Sequence, residues 1–374
     1  MRTAFIYSDD FAGFDYGASH PLKTFRLKLT CELIKSYGLL SLPNTRHVEA
    51  RMAAEEELLL FHDRDYIEVL KAVNEGLPVP GASYFGLGPG DNPVFKGLYD
   101  WSRLVAGASL QAAEMVESGE ADIAFNISGG LHHALAARAS GFCYVNDPVI
   151  AIKHLLKKGG KVSYIDIDAH HGDGVQEAFY DTDRVLTISI HETGTMLFPG
   201  TGFVEEMGRR KGLGYSVNVP LPPFSDDELF LYAFNQIVPP LIAKFKPDFV
   251  VSQLGVDSFV GDPLTHLNYT TNGFCAAVRK IKEISPRWIT LGGGGYDITN
   301  VAKAWTLAWA IMNDVEIPDE IPEDFLKKYR HTGFESGRIL DEGYQITGMK
   351  KEQMREEVKQ AVRFVEENIL PLVR

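Results

Sequence analysis

The stretch KVSYIDIDAHHGDGV, residues 161–175, decides the reading of this chain. Its first half, Lys161–Ile167, is rich in β-formers without a strict apolar/polar alternation, the pattern of a strand buried on both faces of a parallel sheet. Its second half brings Asp166, Asp168, His170, His171 and Asp173 together where that strand ends. In open parallel sheets ligands bind beyond the carboxyl ends of the strands. This one segment therefore predicts both a fold class and the edge of the sheet that carries the chemistry.

Outward from it, strands are expected at Thr3–Tyr7, Asp122–Asn126, Val185–Ile190, Tyr215–Val219, Asp248–Leu254 and Arg287–Leu291. Helices separate them. Leu98, Trp101, Val105, Ala108, Ala112 and Met115 share one helical face, which ends before Gly119. Asp147-Pro148 reads as N-cap and first helical residue, with Lys157, Lys158 and Gly159 closing that helix. Ser225 and Glu228 read as a capping box for a helix running toward Lys244. Such alternation predicts a mostly parallel sheet with helices on both faces. No repeat or linker divides the chain, so residues 1–374 read as one domain. Glu75–Pro93 stands apart, with nine Gly or Pro in nineteen positions, and predicts a binding loop or lid.

Other strand ends carry equally unusual residues. Strand 122–126 runs into Ser128-Gly-Gly-Leu-His132-His133, strand 185–190 delivers Ser189 and His191, strand 248–254 delivers Asp257, and strand 287–291 delivers Gly292–Gly295 and Tyr296. Five strands thus aim reactive groups at one edge. Asp168 and His170, two apart, can face one point and meet Asp257 there. Two carboxylates and an imidazole with open positions describe a catalytic metal site, because structural zinc sites are closed by four protein ligands. Mixed N/O ligation suits zinc and also admits ferrous iron or cobalt. The plainer alternative, that Asp168 and His170 only cap a turn, does not account for the other strand ends.

Amide hydrolysis needs a base for the water and an acid for the leaving amine. The adjacent imidazoles of His132 and His133 can divide those tasks, with Asp166 and Asp173 available to orient them. Four consecutive glycines let backbone approach a ligand closely, and Tyr296 after them can donate to a developing oxyanion. A dinucleotide site is excluded, since GGGG is not GxGxxG and no acidic ribose partner follows about twenty residues on.

Bulk composition narrows the setting. A formal charge of −13 argues against general nucleic-acid binding, which needs clustered Lys and Arg. Cys31, Cys143 and Cys275 form no CxxC and suit free thiols in a reducing compartment. The first ten residues lack the basic start and apolar core of a signal peptide, and no apolar run approaches the ~18 residues of a membrane span. A soluble, cytoplasmic protein is expected.

Taken together, the segments His20-Pro21-Leu-Lys, Asp91-Asn-Pro93, Gly129–His133, Gly141-Phe-Cys-Tyr-Val-Asn146, Asp166–Val175, Phe198–Gly202, Gly255-Val-Asp257 and Gly292–Tyr296 resemble the histone deacetylase family, including bacterial members related to acetoin-utilisation proteins. They span roughly the first 310 residues in order; after Ile311 no motif is evident. The resemblance implies an arginase/deacetylase-like three-layer α/β/α fold, its motif-bearing part about 1–312, with a C-terminal helical segment at about 313–374. It implies zinc on Asp168, His170 and Asp257, a metal-activated water, and His132 and His133 as a tandem acid/base pair backed by Asp166 and Asp173. Tyr296 is then the carbonyl-polarising residue. Gly141, Phe142, Phe198 and Leu264 become walls of an acyl-lysine tube, with Pro21 near its mouth and Asp91 as the rim carboxylate holding peptide amides. The resemblance also implies structural potassium near Asp166, Asp168, His170, Ser189 and Ile190, and again near Phe179, Thr182, Val185 and Tyr215. An internal channel would involve Tyr16, Arg26 and Cys143.

Three other functions compete. A binuclear ureohydrolase would need carboxylates where Gly172 and Phe259 stand. An acetylpolyamine amidohydrolase shares the metal chemistry, but Leu264 favours a peptide substrate. A non-catalytic acyl-lysine reader would not need the full set of ligands, histidines and Tyr296.

Overall fold

The computed structural model describes residues 1–77, 79–88 and 90–374; Pro78 and Pro89, within the Gly/Pro-rich stretch, lie outside them. Eight strands form one sheet: β1 (Thr3–Tyr7), β2 (Thr45–Glu49), β3 (Ile123–Asn126), β4 (Val162–Asp166), β5 (Val185–Glu192), β6 (Ser216–Leu221), β7 (Phe249–Gln253) and β8 (Trp288–Leu291). Their order is β2-β1-β3-β8-β7-β4-β5-β6, and every pairing is parallel. The central strands are buried along their whole length, as their unalternating composition requires.

Helices complete the outer layers. Leu98–Glu117 and Asp147–Lys157 pack on each other and on β1, β3, β4, β7 and β8. Phe25–Ser36, Asp227–Phe245, Thr271–Ile284 and Ile298–Met312 pack as a second group. The core is heavily aromatic, with Trp101, Trp288, Trp305 and Trp309 all fully buried.

Three expectations need correction. β2 was not expected: Thr45–Glu49 has a single aliphatic residue and mostly exposed side chains, and it joins β1 at the sheet edge through backbone pairing, a Thr3–Thr45 hydroxyl contact and the His47 ring beside Phe5 and Tyr7. The helix at 147 is capped one residue earlier, by Asn146, whose side chain accepts the Val149 N–H at 3.1 Å. The 227–245 helix is capped by Asp226, which accepts the Leu229 N–H, rather than by a Ser225–Glu228 box. Ser225 instead donates to the Pro222 carbonyl, and Glu228 pairs with Lys351 and Arg355.

Beyond Met312 the chain adds helices Glu323–Tyr329 and Met349–Phe364. Lys351 fixes the latter by pairing with buried Asp226 at 3.0 Å, and the Ile346 N–H donates to the same carboxylate. Within the described part of 75–93, a 3-10 turn at Ala82–Phe85 is the one regular element. Among the described residues no helix is long and apolar enough to cross a membrane.

Candidate active site

Strand register builds the floor of the site. Asn126, Leu291, Gln253, Asp166, Ser189 and Asn218 lie in one transverse row across β3, β8, β7, β4, β5 and β6. Five of the six are polar, although the strands below them are apolar. The loops carrying His132, Asp168, His170, Asp257 and Tyr296 leave the sheet just above this row, whereas Asp91 reaches the site from the long segment after β2.

Asp168, His170 and Asp257 present donor atoms within 4.8 Å of one another, and all three are buried. Their environment sorts the oxygens. Asp168 Oδ2 accepts the Gly294 N–H at 2.8 Å and the Gln253 side-chain amide at 2.6 Å. Asp257 Oδ1 accepts the Ala169 N–H at 2.9 Å. The two remaining oxygens, Asp168 Oδ1 and Asp257 Oδ2, lie 3.1 and 2.9 Å from His170 Nδ1. Two buried carboxylates facing one imidazole form an anionic pocket with a hard N/O donor set, which fits a divalent cation such as zinc, ferrous iron or cobalt. Burial opposes a charge on His170, but Asp257 and Asp168 outweigh it and hold the ring well above the ordinary histidine range.

Beside this cluster the paired histidines meet through Nε2 atoms 3.0 Å apart. His132 Nδ1 is 2.7 Å from Asp166, which also accepts from the Tyr164 hydroxyl, and His133 Nδ1 is 2.7 Å from Asp173. The environments differ. Burial works against charge on His132, yet Asp166 and Asp168 raise it to about 9. Burial and the neighbouring His132 charge lower His133 to about 4, against the pull of Asp173. This network is satisfied when His132 is imidazolium and donates to a neutral His133.

Close backbone approach makes room for these groups. A Cβ on Gly294 would fall 2.0 Å from Asp257 Oδ2, and one on Gly141 would fall 2.5 Å from His133 Cδ2. Gly141 and Phe142 are both left-handed, at φ 50° and 68°. For a phenylalanine that conformation costs on the order of 1 kcal/mol, and such strain gathers at functional sites. The Tyr16 hydroxyl holds it by donating to the Phe142 carbonyl at 3.1 Å.

A cavity of about 220 Å³ opens above the cluster, walled by Asp91, His133, Gly141, Phe142, His170, Leu197, Phe198, Leu264 and Tyr296. The Phe142 ring stands edge-on to Tyr296 and the Phe198 ring edge-on to His133. Four expected tube walls and Asp91 are thus brought together; neither Pro21, expected near the mouth, nor its neighbour His20 is among the lining residues, and His20 lies 3.2 Å from the Asp91 carbonyl and packs on Phe142. Cys143 lines a smaller inner cavity with Leu22 and Leu131. Arg26 anchors the glycine turn, donating to the Gly293 and Gly295 carbonyls at 2.7 and 2.8 Å.

Of the residues expected near potassium, Ser189 Oγ lies 2.8 Å from His191 Nδ1, and Asp166 Oδ1 accepts the Asp168 N–H. In the second group the Phe179 carbonyl accepts the Thr182 N–H, the Tyr215 carbonyl accepts the Thr187 N–H, and Val185 opens β5.

Several functional neighbours were not singled out from sequence. Gln253 orients Asp168, and its signal was an amide ending the apolar strand FVVSQ. Asp147, read as a cap, accepts the Gly130 and Leu131 N–H groups at 3.0 and 2.9 Å and so fixes the turn before His132. Asp262 accepts the Tyr296 N–H; it sits in a segment that reads as an ordinary turn.

Comparison with known proteins agrees with this geometry. Residues 20–312 match the family model for the histone deacetylase domain. The chain is 43% identical over 336 residues to the acetoin utilization protein AcuC of Bacillus subtilis, covering 88% of this chain and 86% of that one. It is 42% identical over 327 residues to human histone deacetylase 1, covering 86% of this chain and 66% of that one. The crystal structure of a histone deacetylase homolog from Aquifex aeolicus superposes with a TM-score of 0.87 at 34% identity, covering 97% of this chain and all of that one. The parallel eight-stranded sheet with its helical layers is the arginase/deacetylase-like α/β fold, and the chain belongs to the histone deacetylase family, with relatives among the acetoin-utilisation proteins.

Proposed function

We propose that this protein is a metal-dependent hydrolase that removes acetyl or other acyl groups from lysine side chains of proteins or peptides. The observation that carries the reading is the meeting of three devices at one cavity: the Asp168–His170–Asp257 donor set, which reaches it through His170, the carboxylate-backed His132–His133 pair, which reaches it through His133, and Tyr296 at the wall. A divalent ion on the donor set supplies Lewis-acid polarisation and activates water. His133, which faces the cavity, takes the proton of the attacking water on Nε2, the water displacing the His132 N–H that this nitrogen accepts in this structure, and returns it to the departing amine. His132, held by Asp166, tunes that basicity through the shared Nε2 contact. Tyr296 donates its hydroxyl to the oxyanion. Zinc is the ion of choice, with ferrous iron or cobalt able to replace it. The family resemblance supports potassium as a structural ion near Asp166, Asp168, His170, Ser189 and Ile190, and again near Phe179, Thr182, Val185 and Tyr215. The whole chain acts as one domain, and three free, buried cysteines suit work in the cytoplasm.

Substrate choice follows from the mouth. Phe142 and Phe198 favour a flat, uncharged acyl-aminobutyl chain. Leu264 offers apolar surface where the second ammonium of a polyamine would need a partner once desolvated. Asp91 can accept peptide N–H groups, which polyamines lack. We expect acetyl-lysine peptides to exceed acetylputrescine and acetylspermidine in kcat/KM by at least about tenfold, the ~1.4 kcal/mol of one such contact. Leu264→Glu should narrow that gap. Equal or better polyamine turnover by the unmodified protein would move the assignment to a polyamine deacetylase.

A further inference from the structure

Asp262 returns to the site from the loop that follows Asp257, and none of the roles above uses it. It is 8% exposed. One oxygen, Oδ2, accepts the Tyr296 N–H at 2.8 Å, and the other, Oδ1, accepts the Leu264 N–H at 3.0 Å. The rest of the glycine turn is tied to other partners. The Gly294 N–H goes to Asp168, its carbonyl accepts from Val256 N–H, and Arg26 takes the Gly293 and Gly295 carbonyls. The Tyr296 N–H is therefore the point where the turn is released into the tyrosine, and Asp262 alone holds it. On its other side the same carboxylate holds Leu264, a wall of the cavity mouth. Burying a carboxylate against two neutral N–H groups is expensive. An amide would be cheaper to bury but has one acceptor oxygen for two donors.

We propose that Asp262 is a positioning residue that fixes the reach of Tyr296 toward the substrate carbonyl and locks it to the Leu264 wall. This rests on the proposed role of Tyr296 in deacylation. A misplacement of a catalytic donor by about 1 Å can cost up to ~100-fold in rate, so loosening the hydrogen bond that holds the Tyr296 N–H should be visible. Asp262→Asn keeps the volume but sets an amide NH2 against one of the two N–H groups. The test compares the unmodified protein, Asp262→Asn, Tyr296→Phe and the double variant, each loaded with one equivalent of zinc. Asp262→Asn should lower kcat on an acetyl-lysine peptide about tenfold, change KM less than twofold, and leave zinc content unchanged. In the Tyr296→Phe background the same substitution should change kcat less than twofold, because the group it positions is gone. In metal-free protein, hydrogen exchange should quicken at Tyr296 and Leu264 and stay unchanged at Gly130 and Leu131. Should Asp262→Asn not fold, Asp262→Glu, which displaces both acceptor oxygens by one methylene, takes its place in the same comparison. Equal losses in both backgrounds, or an unaltered kcat, overturn the proposal. An unmodified protein that is inert on acetyl-lysine overturns the deacylase reading and this inference together, whereas turnover by that protein with no Asp262 effect overturns only the inference.

Discussion

His132 and His133 are joined Nε2 to Nε2 at 3.0 Å, each held from behind by its own carboxylate, yet they are not equivalent. His132 lies between two aspartates that raise it to about 9, and His133 is lowered to about 4 by burial and by its partner's charge. Of the two rings, His133 is the one that lines the substrate cavity. His133→Ala should therefore cost about 10²–10⁴ in kcat, the range for loss of one acid/base group, and His132→Ala distinctly less. Steady-state kinetics on metal-loaded variants checks this. A larger loss for His132→Ala would exchange the two roles.

Tyr296 closes the cavity wall against Phe142, with rings 5.6 Å apart. Replacing it by Phe preserves that packing and removes the hydroxyl. Metal content should stay constant while kcat falls roughly a hundredfold or more, the usual loss for one oxyanion donor. A raised KM at unchanged kcat would make Tyr296 a binding wall instead.

His62 ties the site to acid stability. Its Nε2 accepts the Asn146 N–H at 3.0 Å, and Asn146 in turn donates to the His132 and Ala134 carbonyls. Burial, opposed by the Ala136 carbonyl, lowers His62 to about 4. Between its unfolded value near 6.5 and about 4 the unfolded chain binds a proton that the folded chain refuses. Stability from this group is complete above that window and falls as pH drops through it, by about 3 kcal/mol in all. Denaturant titrations of metal-free protein from pH 7 to 4 should show this fall, and His62→Gln should flatten part of it. A His62→Gln protein with an unchanged slope would contradict the assignment.

Most of the site was readable because its residues break local rules: carboxylates and imidazoles crowd the ends of otherwise apolar strands, where packing alone would place none. β1 was legible to the residue for the complementary reason, since Thr3–Tyr7 is buried throughout. β2 was not, because a mostly exposed edge strand leaves little apolar pattern in TRHVE. Asp147 and Asp262 escaped for a different reason. Their partners are backbone N–H groups 17, 16 and 34 residues away, and a carboxylate that serves such donors looks in sequence like any cap or turn residue. Glu228 was drawn out of its expected capping role by Lys351, 123 residues further on.

We propose that one cation on Asp168, His170 and Asp257 makes this protein an acyl-lysine hydrolase. This claim is tested most directly by stripping the protein with chelator and titrating zinc back while following acetyl-lysine peptide turnover. Activity should vanish on stripping and return in full at about one equivalent, and cobalt or ferrous iron should also restore it. Asp257→Ala should bind no zinc at that ratio and stay inactive, with its far-UV circular dichroism unchanged. Undiminished turnover by the stripped protein would contradict the account, as would full activity in Asp257→Ala.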